Sequence, residues 1–286
     1  MDMIKVDVFP FFNELDLLEI RLHELDSFVD FFLITECTVT HSGNAKPLYF
    51  AENASRFKNF RSKIIHQVVD DVPEGLKGFE IDWFQRDAAK PLLNNMLDKD
   101  SILIYGDVDE IPNVDALTWA MEQLSPKKSI GCLAQDLFYY YVNLQEVSGK
   151  LLSNIGEFPG VTDPKWLGTT ISRWSFSSSM KLSEMRGPTI KDYGFRVENG
   201  GWHFSYVGGP KDSDAFARAK VKLEATAHQE LNTPLNRMLL RARVGAGRDM
   251  YRRRQAKFAQ TETSYFLPDY LQANASRFEY LFLPKE

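Results

Sequence analysis

The sequence predicts an α/β domain in which a mixed sheet is flanked by helices, with a helical extension at the carboxyl end. Short apolar runs alternate with amphipathic segments in the first half of the 286 residues, as in chains that alternate strands and helices. One of these runs, residues 28–35, is apolar enough to be covered on both faces, as in a parallel sheet. No run of about eighteen apolar residues occurs, so no membrane-spanning helix is predicted.

Apolar spacing locates the elements of the first half. Leu15, Leu18, Leu22 and Leu25 recur every three or four residues, which predicts a helix with one buried stripe, capped by Asn13. Apolar runs predict strands at 4–9, 28–35, 63–69 and 101–105, and a second helix is expected from about 80 to 97 in spite of Pro91.

The second half is less regular, and its elements are expected as strands at 132–142, 169–176 and 201–206 and helices at 212–228 and 233–243. The sequence contains no internal repeat or linker, so we expect one domain over 1–286. Within it we expect a nucleotide-binding half (1–112), a half that completes the acceptor and metal sites (113–210) and the helical extension (211–286).

Composition and charge exclude several classes of protein. The net charge of −5 gives no basic surface for nucleic acid, so no nucleic-acid partner is expected. The two cysteines, Cys37 and Cys132, cannot form a disulfide framework and belong to no Cys-x-x-Cys pair. The first residues lack a basic segment followed by a long apolar run. These observations predict a cytoplasmic protein.

Three carboxylates, Asp107, Asp109 and Glu110, follow the strongest predicted strand directly. Carboxylates at the end of a buried strand are costly unless a positive charge meets them, and a hard divalent cation with oxygen ligands would do so. The carboxyl ends of strands are also where open α/β sheets bind ligands. The alternative is a solvated acidic turn. An Asp-x-Asp pair here serves two chemistries, metal-dependent glycosyl transfer and phosphoryl transfer of the haloacid-dehalogenase type with Asp107 as nucleophile.

Several further motifs follow one another along the chain. They are Asn-Glu-x-Asp-Leu-Leu-Glu-x-Arg-x-His-Glu-Leu at 13–25, the segment 29–37, Pro-Leu-x-Phe at 47–50, Gly-Asp-Val-Asp-Glu-Ile-Pro at 106–112 and Gly-Trp-His-Phe-Ser-Tyr at 201–206. Together they resemble glycosyltransferase family 17. That family includes the enzyme that adds the bisecting N-acetylglucosamine to the β-linked mannose of N-glycan cores. Its bacterial and viral-type members look closer, because the membrane anchor and stem of the animal members are missing here.

The resemblance implies a GT-A-like, Rossmann-like fold and an inverting transfer from a nucleotide sugar, expected to be UDP-N-acetylglucosamine, to a glycan or glycoconjugate hydroxyl. Mn²⁺ or Mg²⁺ held by Asp107 and Asp109 would stabilise the departing diphosphate as a Lewis acid. A late histidine, His203, would complete the metal shell, although it could equally be a hydrogen-bonded core histidine. Inversion also needs a base apart from the metal, and Asp136 is our choice among several carboxylates.

Four residues are candidates for binding the nucleotide sugar, each with a structural alternative. Arg86 could contact the nucleotide or pair with a site carboxylate, or form only a surface ion pair. Glu36 lies at a predicted strand end, where it could also cap a loop. Trp166 and Gly168 offer an aromatic face and close backbone approach to a sugar, or a turn with a core tryptophan.

A group of arginines near the carboxyl end could form one basic helical face. Such a face could meet nucleotide phosphates, an anionic lipid-linked acceptor through peripheral membrane contact, or only solvent. Its members are Arg241, Arg243, Arg248, Arg252, Arg253 and Arg254. Two other functions stay open: a Mg²⁺-dependent phosphatase, and a non-enzymatic carbohydrate-binding module whose acidic turn holds a structural cation.

Overall fold

The computed structural model describes residues 3–151, 165–186, 194–208, 213–251, 253, 255–261 and 267–284. The strands are β1 (Lys5–Phe11), β2 (Phe31–Cys37), β3 (Ile64–Val69), β4 (Ile102–Tyr105), β5 (Glu110–Pro112), β6 (Ile130–Tyr139), β7 (Leu144–Glu146), β8 (Trp166–Arg173), β9 (Gly194–Val197), β10 (Gly201–Ser205) and β11 (Phe258–Gln260). The α-helices are α1 (Leu15–Leu25), α2 (Tyr49–Glu52), α3 (Phe79–Asp87), α4 (Lys90–Met96), α5 (Val114–Gln123), α6 (Trp174–Ser177), α7 (Ala215–Ala225), α8 (Pro234–Gly245) and α9 (Asp269–Ala273).

The strands form one mixed sheet in the order β11-β7-β6-β8-β4-β1-β2-β3. Strands β4, β1, β2 and β3 are parallel, while β8 runs antiparallel to both β4 and β6. Strand β10 pairs with β6 in parallel and with β5 in the antiparallel sense. The predicted α/β class with a mixed sheet and flanking helices is therefore confirmed.

Alternation along β1 divides the core between the two faces of the sheet. Val6 and Val8 pack on one face with residues of α4 and α6, whereas Phe9 and Phe11 pack on the other with α1 and α5. This arrangement follows from the two-residue period of a strand. Asp7 lies on the same face as Phe9, toward α1, and is fully buried. A buried carboxylate at this position needs a positively charged partner, which is Arg21 of α1.

Two local predictions about helices were wrong. The helix expected over 80–97 is two helices, because α3 ends at Asp87 and α4 begins at Lys90 with Pro91 in its first turn. Proline has no backbone N–H to continue a preceding helix, but its fixed φ suits the start of a new one. Asn13 does not cap α1, since Glu14 occupies the N-cap position and no side chain there bonds the helix backbone.

The carboxyl-terminal region contains α7, α8 and α9, as the expected extension requires, and it also contributes a strand. Strand β11 pairs with β7 at the edge of the sheet. The proposed boundaries at residues 112 and 210 stay predictions. In the described part of the chain, no helix has both the length and the apolarity to cross a bilayer.

Candidate functional site

A cavity of about 300 Å³ lies at the carboxyl ends of the parallel strands β1, β2 and β4. Its walls come from the segments that follow these strands, from α3, from β8 and β10, and from the end of α7 and the turn after it. The charged and polar residues among its lining are Glu14, Thr40, His41, Lys46, Asp82, Gln85, Arg86, Asp107, Asp109, His203, Ser205, Lys222, Thr226 and His228. Both aspartates of the acidic turn therefore face the cavity, at the sheet edge where α/β proteins bind ligands.

Arg21 of α1 fixes the backbone of the acidic turn. Its guanidinium is fully buried and grips Asp7 of β1 through two parallel bonds, with Nε–Oδ2 at 2.8 Å and Nη2–Oδ1 at 2.7 Å. Its remaining nitrogen, Nη1, donates to the carbonyls of Asp107 at 2.9 Å and Glu110 at 2.5 Å. One side chain thus ties β1, α1 and both ends of the turn together.

The carboxylate of Asp107 lies between two arginines. Arg86 Nη2 is 2.7 Å from Oδ1, and Arg186 Nη1 is 2.5 Å from Oδ2. Burial alone would raise the pKa of Asp107, but the charges of Arg186 and Arg86 lower it well below its usual range. Arg86 also binds Asp82 one helical turn earlier, at 2.9 Å. The predicted alternative of a surface pair is wrong for Arg86, because it is buried and joins two carboxylates of the site.

Glu110 organises the wall beside Asp107. One of its oxygens accepts from the indole Nε1 of Trp166 at 2.6 Å and pairs with Arg186, and the other accepts from the backbone N–H of Asp107 at 2.9 Å. Gly168 allows this approach, since a Cβ there would come within 2.0 Å of the Glu110 carboxylate. Trp166 itself lines the cavity, whereas Gly168 acts by leaving space for Glu110.

Asp109 pairs with a cation of its own, Lys222 of α7, whose Nζ lies 2.6 Å from Oδ2. The same ammonium is 3.5 Å from the carboxylate of Glu14. Burial would lower the pKa of Lys222, but the charge of Asp109 raises it above its ordinary value. Lys222 is therefore a firmly charged group on the cavity wall, held between two carboxylates.

His203 reaches Asp109 because β10 pairs with β5, and the N–H of Phe204 donates to the carbonyl of Asp109 at 2.7 Å. Its Nε2 lies 3.7 Å from Asp109 Oδ1, and its ring packs 4.3 Å from that of Trp166, centroid to centroid. Burial lowers the pKa of His203, against the opposing charge of Asp109, so the imidazole is neutral near pH 7. Its Nδ1 is buried and accepts or donates no hydrogen bond within the described residues.

Two carboxylates and a neutral imidazole on one wall are donors that suit Mn²⁺ or Mg²⁺, and the imidazole nitrogen nearer Asp109 is Nε2. These side chains do not, however, form a preassembled metal site. Within the described ranges, no group of three or more His, Cys, Asp or Glu side chains is arranged around a metal position. Asp107 and Asp109 are neutralised by side-chain cations, with which any metal would have to compete.

Glu36 and Asp136, two further candidates, do not belong to the cavity lining. Glu36 is fully buried and accepts from the backbone N–H of Phe50 at 3.2 Å and from His66 at 2.9 Å. It therefore binds a backbone N–H in the first turn of the short helix α2, and its role in binding the nucleotide sugar stays a prediction. Asp136 pairs with Lys165 at 2.6 Å and accepts from Gln145 at 3.0 Å. Its role as a base stays a prediction.

Arg21 was named only as part of the 13–25 motif, and Arg186 and Lys222 were not named at all, although all three hold the acidic turn. A signal existed for Arg21, since a charged residue interrupts the apolar stripe of α1. The local sequence gives no such signal for Arg186, which lies in an irregular segment, or for Lys222, which lies on a helix of mixed charge. The described members of the arginine group do not share one helical face, because α8 ends at Gly245 and Arg248 and Arg253 lie beyond it. Within that group Arg243 donates to the carbonyl of Met250 and Arg253 pairs with Asp249, while Arg252 and Arg254 lie outside the described residues.

The fold and the site define an α/β protein with a charged, aromatic-walled ligand cavity at the carboxyl edge of its parallel strands. Residues 4–125 match the family model described as glycosyltransferase family 17, which confirms the resemblance predicted from the motifs. The chain is also similar to the beta-1,4-mannosyl-glycoprotein 4-beta-N-acetylglucosaminyltransferases of Homo sapiens and Rattus norvegicus, with 32% identity over 114 residues. These alignments cover 37% of this chain and 21% of each relative, so the chain spans about a fifth of their length.

Solved structures resemble this chain more weakly. The inositol-1-phosphate CTP transferase from T. maritima aligns with a TM-score of 0.41 and 12% identity, over 78% of this chain and 97% of that one. Mouse xyloside xylosyltransferase 1 aligns with a TM-score of 0.33 and 13% identity, over 70% of this chain and 79% of that one. The fold described above rests on the strand pairing of this chain itself.

Proposed function

We propose that this protein is an inverting, metal-dependent glycosyltransferase that moves N-acetylglucosamine from UDP-N-acetylglucosamine to a glycan hydroxyl. The observation that supports this most directly is the acidic turn, whose two aspartates face one cavity together with His203 and the cation Lys222. The family match over residues 4–125 supports the transferase class, and the activity for which the animal relatives are named supports the choice of sugar. A cytoplasmic location remains part of the proposal.

The chemistry requires charge stabilisation where the sugar–phosphate bond breaks, because the departing nucleoside diphosphate gains negative charge. Lys222 and Arg86 place two fixed cations on the cavity wall for this purpose. Asp107, Asp109 and His203 would hold Mn²⁺ or Mg²⁺, which supplies Lewis-acid stabilisation of the same diphosphate when bound. Trp166 packs against His203 and holds Glu110, which in turn keeps the backbone of Asp107 in place.

Inversion also needs a group that accepts the proton of the attacking hydroxyl. If Asp136 is that base, Asp136→Asn will lower kcat by about a hundredfold or more without changing nucleotide affinity. Steady-state rates together with UDP titration would measure both quantities. Because Asp136 lies outside the cavity lining and already pairs with Lys165, unchanged turnover in Asp136→Asn would remove it from the mechanism.

The phosphatase alternative is less well supported by the geometry. A nucleophilic Asp107 would need a free carboxylate oxygen, yet Arg86 and Arg186 contact one oxygen each. A carbohydrate-binding module would explain the aromatic wall but gives no reason for several cations around the cavity. Hydrolysis of a generic phosphate ester would support the phosphatase, and sugar binding indifferent to nucleotide would support the module.

A screen of nucleotide sugars tests the proposal without knowledge of the acceptor. We expect UDP-N-acetylglucosamine to be hydrolysed slowly in the presence of Mn²⁺, and faster than UDP-glucose, UDP-N-acetylgalactosamine or GDP-mannose. UDP with Mn²⁺ should also raise the melting temperature more than UDP with EDTA, because a ligand that binds the folded state stabilises it. Equal rates with and without Mn²⁺, or no protection by any nucleotide, would contradict the proposal.

A further inference from the structure

Two large aromatic side chains are exposed side by side at the start of α3. Phe79 is 43% exposed and Trp83, one helical turn later, is 51% exposed. Their ring centroids are 6.2 Å apart and their planes differ by 29°, so the two rings stack on each other and expose adjoining aromatic surface. We call this surface the aromatic platform. Exposed aromatic surface of this size on a soluble protein marks a binding site more often than a scattered single residue does.

The platform is not needed for the packing of α3. The helix buries its other face, through Ile81, Asp82, Gln85 and Arg86. Ile81 packs against the apolar residues of β2 and β3, and Arg86 reaches Asp107. Neither Phe79 nor Trp83 belongs to a core cluster of the described residues.

The platform is continuous with the cavity, since Phe79 belongs to both. His228, another residue of the lining, meets the Phe79 ring edge-on at 4.9 Å, and its Nδ1 lies 2.7 Å from a carboxylate oxygen of Glu230. Exposed aromatic rings bordered by an imidazole and a carboxylate suit a pyranose ring. The C–H groups of such a ring pack on the electron-rich face, and its hydroxyls bond to the polar rim.

We propose that Phe79 and Trp83 bind the glycan acceptor by stacking against its sugar rings, with His228 and Glu230 contacting hydroxyls at the rim. This inference rests on the proposed function, to which it adds the acceptor's place on the surface. Two adjacent rings offer room for more than one sugar unit, so the platform selects an oligosaccharide rather than a monosaccharide. A nucleobase could occupy the same surface, and the experiment below distinguishes a nucleobase from a glycan.

The test measures binding directly and so does not depend on turnover. β-1,4-linked mannobiose and N,N′-diacetylchitobiose are titrated into the full chain while tryptophan fluorescence is recorded. We expect a saturable change in emission that disappears in Trp83→Ala, and an affinity about tenfold weaker in Phe79→Ala. Protection by UDP and Mn²⁺ in a melting assay should be the same in Trp83→Ala as in the unchanged protein, because Trp83 does not line the cavity.

Trp119→Ala is the matched control. Trp119 is also a helical tryptophan, 47% exposed and in contact with one aromatic ring, Phe195, but it lines a different cavity. Its loss should leave the disaccharide response intact. The proposal is overturned if uridine produces the change and the disaccharides do not, if neither does, or if Trp119→Ala abolishes it. Failure of nucleotide protection with disaccharide binding retained would instead contradict the transferase assignment alone.

Discussion

Arg21→Met is expected to destabilise the protein by about 3–5 kcal/mol, because it leaves the fully buried carboxylate of Asp7 without its partner. For a chain of this size the melting temperature should fall by roughly 10 °C. The variant also removes the donor that binds the carbonyls of Asp107 and Glu110, so the acidic turn loses its anchor. Thermal or urea unfolding measures the first effect, and nucleotide protection measures the second.

A double variant separates these two consequences. Replacing both members of a buried ion pair by apolar side chains is often neutral, whereas removing one member is costly. Asp7→Leu combined with Arg21→Met should therefore recover much of the stability lost in Arg21→Met. Nucleotide protection should not recover, because the carbonyls of the turn still lack a donor. Recovery of both would show that Arg21 serves only the core.

An exposed arginine provides the comparison. Among the residues that the structure describes, Arg237 bonds only to Asn232, and Arg237→Met should change stability by no more than about 0.5 kcal/mol. The stability loss in Arg21→Lys should lie between those in Arg21→Met and Arg237→Met. A lysine keeps the charge but cannot bind a carboxylate through two parallel bonds. A stability loss in Arg237→Met equal to that in Arg21→Met would contradict the assigned role of Arg21.

Much of the sheet was predictable from sequence because its signal is local. The strands β1, β3, β4 and β10 and the helix α1 follow directly from apolar runs and from three- and four-residue spacing. The error at 80–97 has a local cause as well, since an apolar pattern continues through Pro91 although the backbone hydrogen bonds cannot. The edge pairing of β11 with β7 was not predictable, because three residues carry no periodicity.

The site was predictable only where chemistry and sequence position coincide. Asp107 and Asp109 follow a strand directly, so their place at the sheet edge could be inferred. The cations that neutralise them come from distant segments, Arg186 before β9 and Lys222 on α7, and only the folded chain brings them together. Glu36 shows that position alone is not enough, because a carboxylate at a strand end can accept a hydrogen bond from a backbone N–H instead of binding a ligand.

Asp109→Ala is expected to lower transfer by about a thousandfold and to weaken nucleotide binding while the fold persists. Asp109 is the carboxylate shared by Lys222 and His203, so it sets the charge at the centre of the cavity wall. Donor hydrolysis and UDP protection measure the two effects. Asp115→Ala is the control, because Asp115 is an exposed carboxylate a few residues away, and its loss should leave both unchanged.

Lys222 distinguishes a functional role of Asp109 from a structural one. Asp109→Ala leaves the Lys222 ammonium with only Glu14, 3.5 Å away, which costs some stability. Adding Lys222→Met removes that weakly paired charge, so the double variant should be more stable than Asp109→Ala. If Asp109 acts on the diphosphate, stability returns but transfer does not, because neither the carboxylate nor the cation is left at that wall. Transfer that returned together with stability would reduce Asp109 to a partner of Lys222 and would refute its direct role at the donor.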